Sequence, residues 1–174
     1  GGIAKGSGMI HPNMGTMLCF LTTDCAITPE MIKTALLETV NVSFNRISVD
    51  GDTSTNDMVT VLANGMAGND TITCEGEDFN VFMKALNTIT MHLCRMIAGD
   101  GEGATRLIEC KVTGAVDMAV ARTAAKSVIC SSLVKAAMFG ADANWGRILC
   151  AIGYSGADVD VSKIGVSFRS NKGT

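Results

Sequence analysis

The chain is poor in several residue types, and each shortage removes a class of function. Lysine and arginine do not outnumber the acids, and the net charge is −3. That balance argues against a nucleic-acid partner or an anionic membrane surface. No apolar run is long enough to span a bilayer, and the start carries no signal-peptide pattern. The reading is a cytoplasmic protein, although a chain that opens on Gly1-Gly2 leaves an upstream address open. Cysteine pairs spaced as CxxC are absent. The seven cysteines are odd in number and widely spaced, so neither a zinc site nor a disulfide framework is expected. Most sit in apolar runs and read as small core residues. There are only two histidines, His11 and His92. His92 reads as a packed or half-exposed helix residue, and His11 as a residue that shapes a turn. A Ser-His-Asp triad is thus short of candidates, which favours a nucleophile that carries its own base.

What is there is a normal globular composition, 47% hydrophobic and 18% charged over 174 residues, enough for one domain with a real core. The eleven methionines fit flexible core filling. The most informative stretch is Lys5-Gly6-Ser7-Gly8-Met9-Ile10-His11-Pro12-Asn13-Met14-Gly15-Thr16. It is Gly-rich, holds Pro12 and has no apolar period, so it reads as a loop. Met17-Leu18-Cys19-Phe20-Leu21 follows as a short apolar run and reads as a buried strand.

A pliable residue and a hydroxyl therefore meet where a loop enters the core. That arrangement suits self-cleavage. The Thr16 hydroxyl can attack the Gly15 carbonyl, and water can hydrolyse the ester. Gly15 has no side chain in the way and accepts strained backbone angles. The cut would free the Thr16 α-amine, whose ordinary pKa of roughly 7.7–8.0 leaves part of it neutral near pH 7. A neutral amine can act as base for its own hydroxyl. Taken alone, Gly-Thr more often just begins a strand.

The wording around it is more specific. Gly2 to Leu18 closely resembles the self-cleavage region of the ornithine acetyltransferase family, the bifunctional glutamate N-acetyltransferases of arginine biosynthesis. Two later segments resemble the same family. One is Asn45-Arg46-Ile47-Ser48-Val49-Asp50-Gly51-Asp52-Thr53-Ser54-Thr55-Asn56-Asp57, the other Phe139-Gly140-Ala141-Asp142-Ala143-Asn144-Trp145-Gly146-Arg147-Ile148. The likeness runs over nearly the whole chain in matching order. Gly15 departs from the family's usual Ala and bears on the cleavage rate; Ala143 departs from a frequent Pro and bears on loop stiffness.

The remaining chain alternates between helical and strand patterns. Thr28-Pro29 caps a helix with Ile32, Leu36 and Val40 at helical spacing. Phe44–Val49 alternates as a strand running into Asp50-Gly51-Asp52, and Met58–Gly65 reads as a buried strand. The acidic run 50–57 lacks the spacing and closing Glu of a calcium loop and reads as a polar loop that supports the site. Asp78–Ala98 is the longest helix, with Phe79, Phe82, Met83, Leu86, Ile89, Leu93, Met96 and Ile97 on one broad face. The glycine loop after it lacks the Lys-Ser/Thr of a phosphate cradle. Its Glu102 suits an amine, with a plain surface acid as the equal alternative. Arg106–Thr113 and Ile164–Phe168 are strand candidates; 117–130 and 131–138 read as helices. The lone Trp145 either plugs the core, its commoner use, or covers a pocket.

These elements predict a layered α/β fold, and the resemblance implies the family's sandwich of sheets and helices. By that resemblance Gly1–Gly15 is the tail of a first, alpha, chain. Thr16–Thr174 is then the single-domain bulk of a second, beta, chain, and most of the first chain and the end of the second lie outside this piece. The implied activity is acetyl transfer from N-acetylornithine to glutamate through an acetyl-Thr16 ester. Lys5 matches a substrate-binding lysine and Glu102 the acid that meets a substrate ammonium. No resident cofactor or metal is implied. Some family members also use acetyl-coenzyme A, and no local feature decides that point. The implied partner is the complementary chain, in a hetero-tetramer of two alpha and two beta chains. Two rivals stand beside this reading: an N-terminal-threonine amidohydrolase or aminopeptidase of related fold, and an inactive structural fragment that needs its complement.

Overall fold

The computed structural model describes residues 1–6, 8–11, 17–170 and 173. Its contacts group the chain into two compact units, Gly1–Ala104 and Thr105–Thr174. The expected division after Gly15 is one of covalent connectivity and falls inside the first of them.

The first unit is built on a three-stranded sheet. Its strands are β1 (Gly2–Lys5), β2 (Leu18–Thr23) and β3 (Met58–Ala63), in that order across the sheet. Central β2 runs antiparallel to β1, with Lys5 opposite Leu18, and parallel to β3, with Leu18 opposite Met58. Period-two alternation sends Ala4, Cys19, Leu21, Val59 and Val61 to the core and leaves Ile3, Phe20 and Leu62 exposed. Helix α1 (Pro29–Val42) starts where Thr28 accepts from the Met31 N–H at 3.4 Å and proline fills the first turn. Helix α2 (Glu77–Gly99) buries Phe79, Met83, Leu86, Leu93 and Ile97, while Met96 of the expected face stays exposed. The two helices are tied by a polar knot: the Thr39 hydroxyl donates to Asn87 Oδ1 at 2.6 Å and lies 2.9 Å from the Thr90 hydroxyl. Both threonines are fully buried, so these bonds satisfy groups that would otherwise be costly to bury.

The second unit holds α3 (Met118–Cys130), α4 (Ser132–Phe139) and α5 (Trp145–Gly153). Asp117, Ser131 and Asn144 each accept from a backbone N–H as N-cap. Val128, Val134, Ala151 and Ile152 form its buried cluster. The Ser127 hydroxyl donates to the Ala151 carbonyl at 2.6 Å, joining α3 to α5.

Three expected strands do not form. Phe44–Arg46 is a short 3-10 turn that plunges Phe44 into the core, and residues 47–57 are irregular. Their hydrogen bonds go to the glycine-rich segment instead of to a ladder. Among the described residues, 106–113 and 164–168 join no sheet, although Cys110 and Ile164 pack against the buried cluster of their unit. Trp145 is not a core plug: it opens α5 and is 63% exposed.

Candidate active site

The loop from Gly6 to Met17 joins β1 to β2, and the described residues on both sides of its middle are fixed. Ile10 is fully buried and Met17 nearly so, and both belong to the main core. Pro12 to Thr16, including the expected cleavage pair Gly15 and Thr16, lie outside the described residues. The bond between them is therefore bracketed by two core anchors, seven positions apart in sequence.

Residues 48–58 fasten each anchor in turn. Upstream, the Asp50 carboxylate accepts from the Met9 N–H at 2.5 Å and the Ile10 N–H at 3.1 Å. The Val49 N–H donates to the Ile10 carbonyl at 2.6 Å. The Thr53 hydroxyl donates to the His11 carbonyl at 3.2 Å, and His11 Nδ1 lies 3.0 Å from Ser48 Oγ. Downstream, the Met17 N–H donates to Asp57 Oδ1, and the Met58 N–H to the Met17 carbonyl at 2.8 Å. The polar loop read from sequence as support for the site thus grips the chain on both flanks.

The two acids differ in environment. Partial burial pushes both carboxyls up, but the N–H groups of Asp52, Met9 and Ile10 outweigh it at Asp50, which ends below its ordinary value. At Asp57 burial wins over the single Met17 N–H, and the carboxyl is raised. Asp57 Oδ2 is shielded from solvent and has no hydrogen-bond partner among the described residues.

Lys5 ends β1 and is exposed. Glu102 is exposed in the glycine turn after α2, and its Oε2 comes within 2.9 Å of where a Cβ on Gly8 would stand. Gly8 thus lets the carboxylate approach the loop. Gly101 plays the same part against Val49: a Cβ there would fall 2.6 Å from Val49 Cγ1. The structure therefore draws Glu102 to the glycine-rich segment, and puts Lys5 at the strand end from which that segment departs. Asp50 and Asp57 lie within the family-like segment 45–57, where sequence alone singles out neither. The available signal was position: one acid sits at the turn and the other immediately before a strand.

Burial pushes the Cys19 thiol up to about 11, and Cys94 and Cys110 are raised for the same reason. Among the described residues no group of three or more His, Cys, Asp or Glu is placed to hold a metal ion, and no helix is long and apolar enough to cross a membrane.

Comparison with known proteins gives a consistent answer. The ArgJ family model matches residues 1–172. The arginine biosynthesis bifunctional protein ArgJ 1 of Clostridium acetobutylicum is 60% identical over 169 residues, which is 97% of this chain and 41% of that protein. The ArgJ protein of Symbiobacterium thermophilum is 57% identical over 94% of this chain and 41% of its own length. The chain thus spans about two-fifths of these curated relatives. The crystal structure of ArgJ from Bacillus halodurans superposes with a TM-score of 0.81 at 55% identity, covering 83% of this chain and 68% of that one. The α/β fold is therefore shared with a solved relative, and the chain belongs to the ArgJ family.

Proposed function

We propose that the complete protein containing this chain is a glutamate N-acetyltransferase that moves the acetyl group of N-acetylornithine to glutamate. The relatives it matches are named as bifunctional proteins of arginine biosynthesis, which fits that reaction. The observation that supports the local reading is the double fastening at Ile10 and Met17, the described core residues that flank the Gly15–Thr16 bond in sequence.

The Thr16 Oγ adds to the Gly15 carbonyl, the C–N bond breaks, and the nitrogen leaves as the α-amine of Thr16. Water then hydrolyses the ester. In turnover the amine takes the Oγ proton while Oγ attacks the acetyl carbonyl of N-acetylornithine. The amide C–N bond breaks, the proton passes to the departing ornithine nitrogen, and acetyl-Thr16 remains. The glutamate α-amine attacks that ester, giving N-acetylglutamate and restoring the hydroxyl. Each tetrahedral oxyanion needs hydrogen-bond donors. Lys5 is suited to a substrate carboxylate and Glu102 to a substrate ammonium. The reaction requires no resident cofactor, and acetyl-coenzyme A is a second donor to be assayed. We assign the reaction to the cytoplasm and to an assembly of two alpha and two beta chains.

The intact mass of the complete protein tests the cut. Two pieces ending at Gly15 and beginning at Thr16 are expected, and Thr16→Ala should remain whole and lose transfer. A Thr16→Ala protein with full transfer activity would overturn the mechanism. Free acetate formed regardless of glutamate, with no acetylglutamate, would replace the transferase reading by hydrolysis.

A further inference from the structure

We infer that Gly8 is a positioning residue for Glu102, its bare Cα leaving the space in which that carboxylate stands to receive the side-chain ammonium of the acetyl donor. This rests on the transferase reading above and adds to it a residue and a role. A Cβ on Gly8 would stand 2.9 Å from Glu102 Oε2, closer than such atoms pack, and 3.8 Å from Asp50 Oδ2, an ordinary contact. An added methyl would therefore press on one carboxylate and spare the other. The Gly8 φ lies outside the left-handed region, so alanine meets no backbone penalty there. Glycine is needed at this position for room and not for conformation.

The backbone is held on both sides of this approach. On the loop side Met9 takes a φ of 56°, a left-handed conformation uncommon outside glycine. Asp50 stabilises it by accepting from the Met9 and Ile10 N–H groups at 2.5 and 3.1 Å, and Ile10 is fully buried. On the acid's side the turn after α2 is closed by the Ala104 N–H, which donates to the Gly101 carbonyl at 2.8 Å. Gly101 lies so close to Val49 that a Cβ would fall 2.6 Å from Val49 Cγ1. Val49 in turn donates its N–H to the Ile10 carbonyl at 2.6 Å. The two segments are thus gauged against the same pair, Val49 and Asp50, and the exposed Glu102 side chain is the part that yields to a methyl on Gly8. The chemistry says which substrate would notice. N-acetylornithine has its α-nitrogen acetylated, so its one cation is the side-chain ammonium, a natural partner for a carboxylate. Glutamate attacks through an α-nitrogen that must first lose its charge.

The test measures both halves of the transfer in the complete protein, with the cut checked by intact mass. Gly8→Ala should lower kcat/KM for N-acetylornithine about fivefold or more and change that for glutamate less than about twofold, since in a double displacement each kcat/KM belongs to one half-reaction. Glu102→Gln should lower the donor value about tenfold or more. Combining the two changes should not multiply the losses. The double variant is expected within about twofold of Glu102→Gln alone, because the methyl acts only through the carboxylate. Losses that multiply, an unchanged donor value in Gly8→Ala, or an unchanged one in Glu102→Gln each overturn the assignment. If the alanine variant is not cut or does not fold, a crystal structure of the unsubstituted complete protein decides. Glu102 Oε2 within about 4.5 Å of Gly8 Cα is expected, and a separation beyond about 7 Å sinks the assignment. That distance is independent of turnover. A complete protein that makes no N-acetylglutamate would therefore count against the transferase reading, while the distance still settles the place of Gly8.

Discussion

Residues 1–104 and residues 105–174 make an instructive pair. Among the described residues, fifteen buried apolar side chains form the cluster of the first unit, around a sheet and two helices, while six are buried in the second, four of them in its cluster. Both use good capping, so local chemistry is not what separates them. The difference lies in long-range structure. A sheet brings distant segments together and gives α1 and α2 a surface to cover, whereas the helices of the second unit bury a smaller cluster with Cys110, Val159 and Ile164 packed against it. Stability should therefore be concentrated in the unit that also carries the candidate site.

The contrast can be broken by experiment. The largest effect is expected from Phe44→Ala, which empties a site 1% exposed at the centre of the first unit. A loss of about 3–5 kcal/mol is expected in denaturant unfolding. Hydrogen exchange should become faster in α1 and α2. Val134→Ala, equally buried in the second unit, should cost about 2 kcal/mol. Its exchange effects should stay within α3 to α5. Acceleration in both units after either substitution would show that the chain unfolds as one.

Thr39→Val comes next. It removes the donor to Asn87 and the contact to Thr90, and about 1–2 kcal/mol is expected from the unsatisfied groups left behind. A neutral result would mean that the α1–α2 knot is replaceable by packing.

The pH response of the loop is smaller and has a definite sign. Asp50 is depressed below 3.8 when folded, so its contribution is fully present above that ordinary value and is lost as pH falls through the folded one. The Met9 and Ile10 amides should exchange faster below about pH 4 than extrapolation of the intrinsic rate requires. Asp57 runs the opposite way: burial raises its carboxyl above the ordinary value, so protonating it relieves a burial penalty. Smallest of all, Trp145→Phe should shift stability by no more than about 0.5 kcal/mol, because most of the ring is in solvent.

Local signals in the sequence located much of this fold. Thr28-Pro29, Asp117, Ser131 and the period of α2 announce helices through capping and amphipathicity, which act within one turn. The strand at Leu18 and the strand at Met58 were legible from apolar runs bounded by polar residues. The strand expected at Phe44–Val49 does not form, because alternation records which side chains are buried and is silent on whether a neighbour is available to pair. Gly2–Lys5 forms a strand only because β2 lies beside it, and four residues carry too little period to reveal that. The same limit applies to the site. A Gly-Thr junction can be seen in one dimension, but the carboxylate that meets the next amide comes from forty residues away. Trp145 misled for a related reason: residue type predicts average burial, and the start of a short helix overrode the average.

The antiparallel pairing of Gly2–Lys5 with Leu18–Leu21 and the seating of Ile10 in the core have a last consequence. They hold the upstream segment by contacts that do not depend on an unbroken backbone. A nick between residues 15 and 16 would then yield two bands on a denaturing gel and a single peak on a sizing column. The short piece would be a permanent subunit, kept by its strand and by the side chain of Ile10.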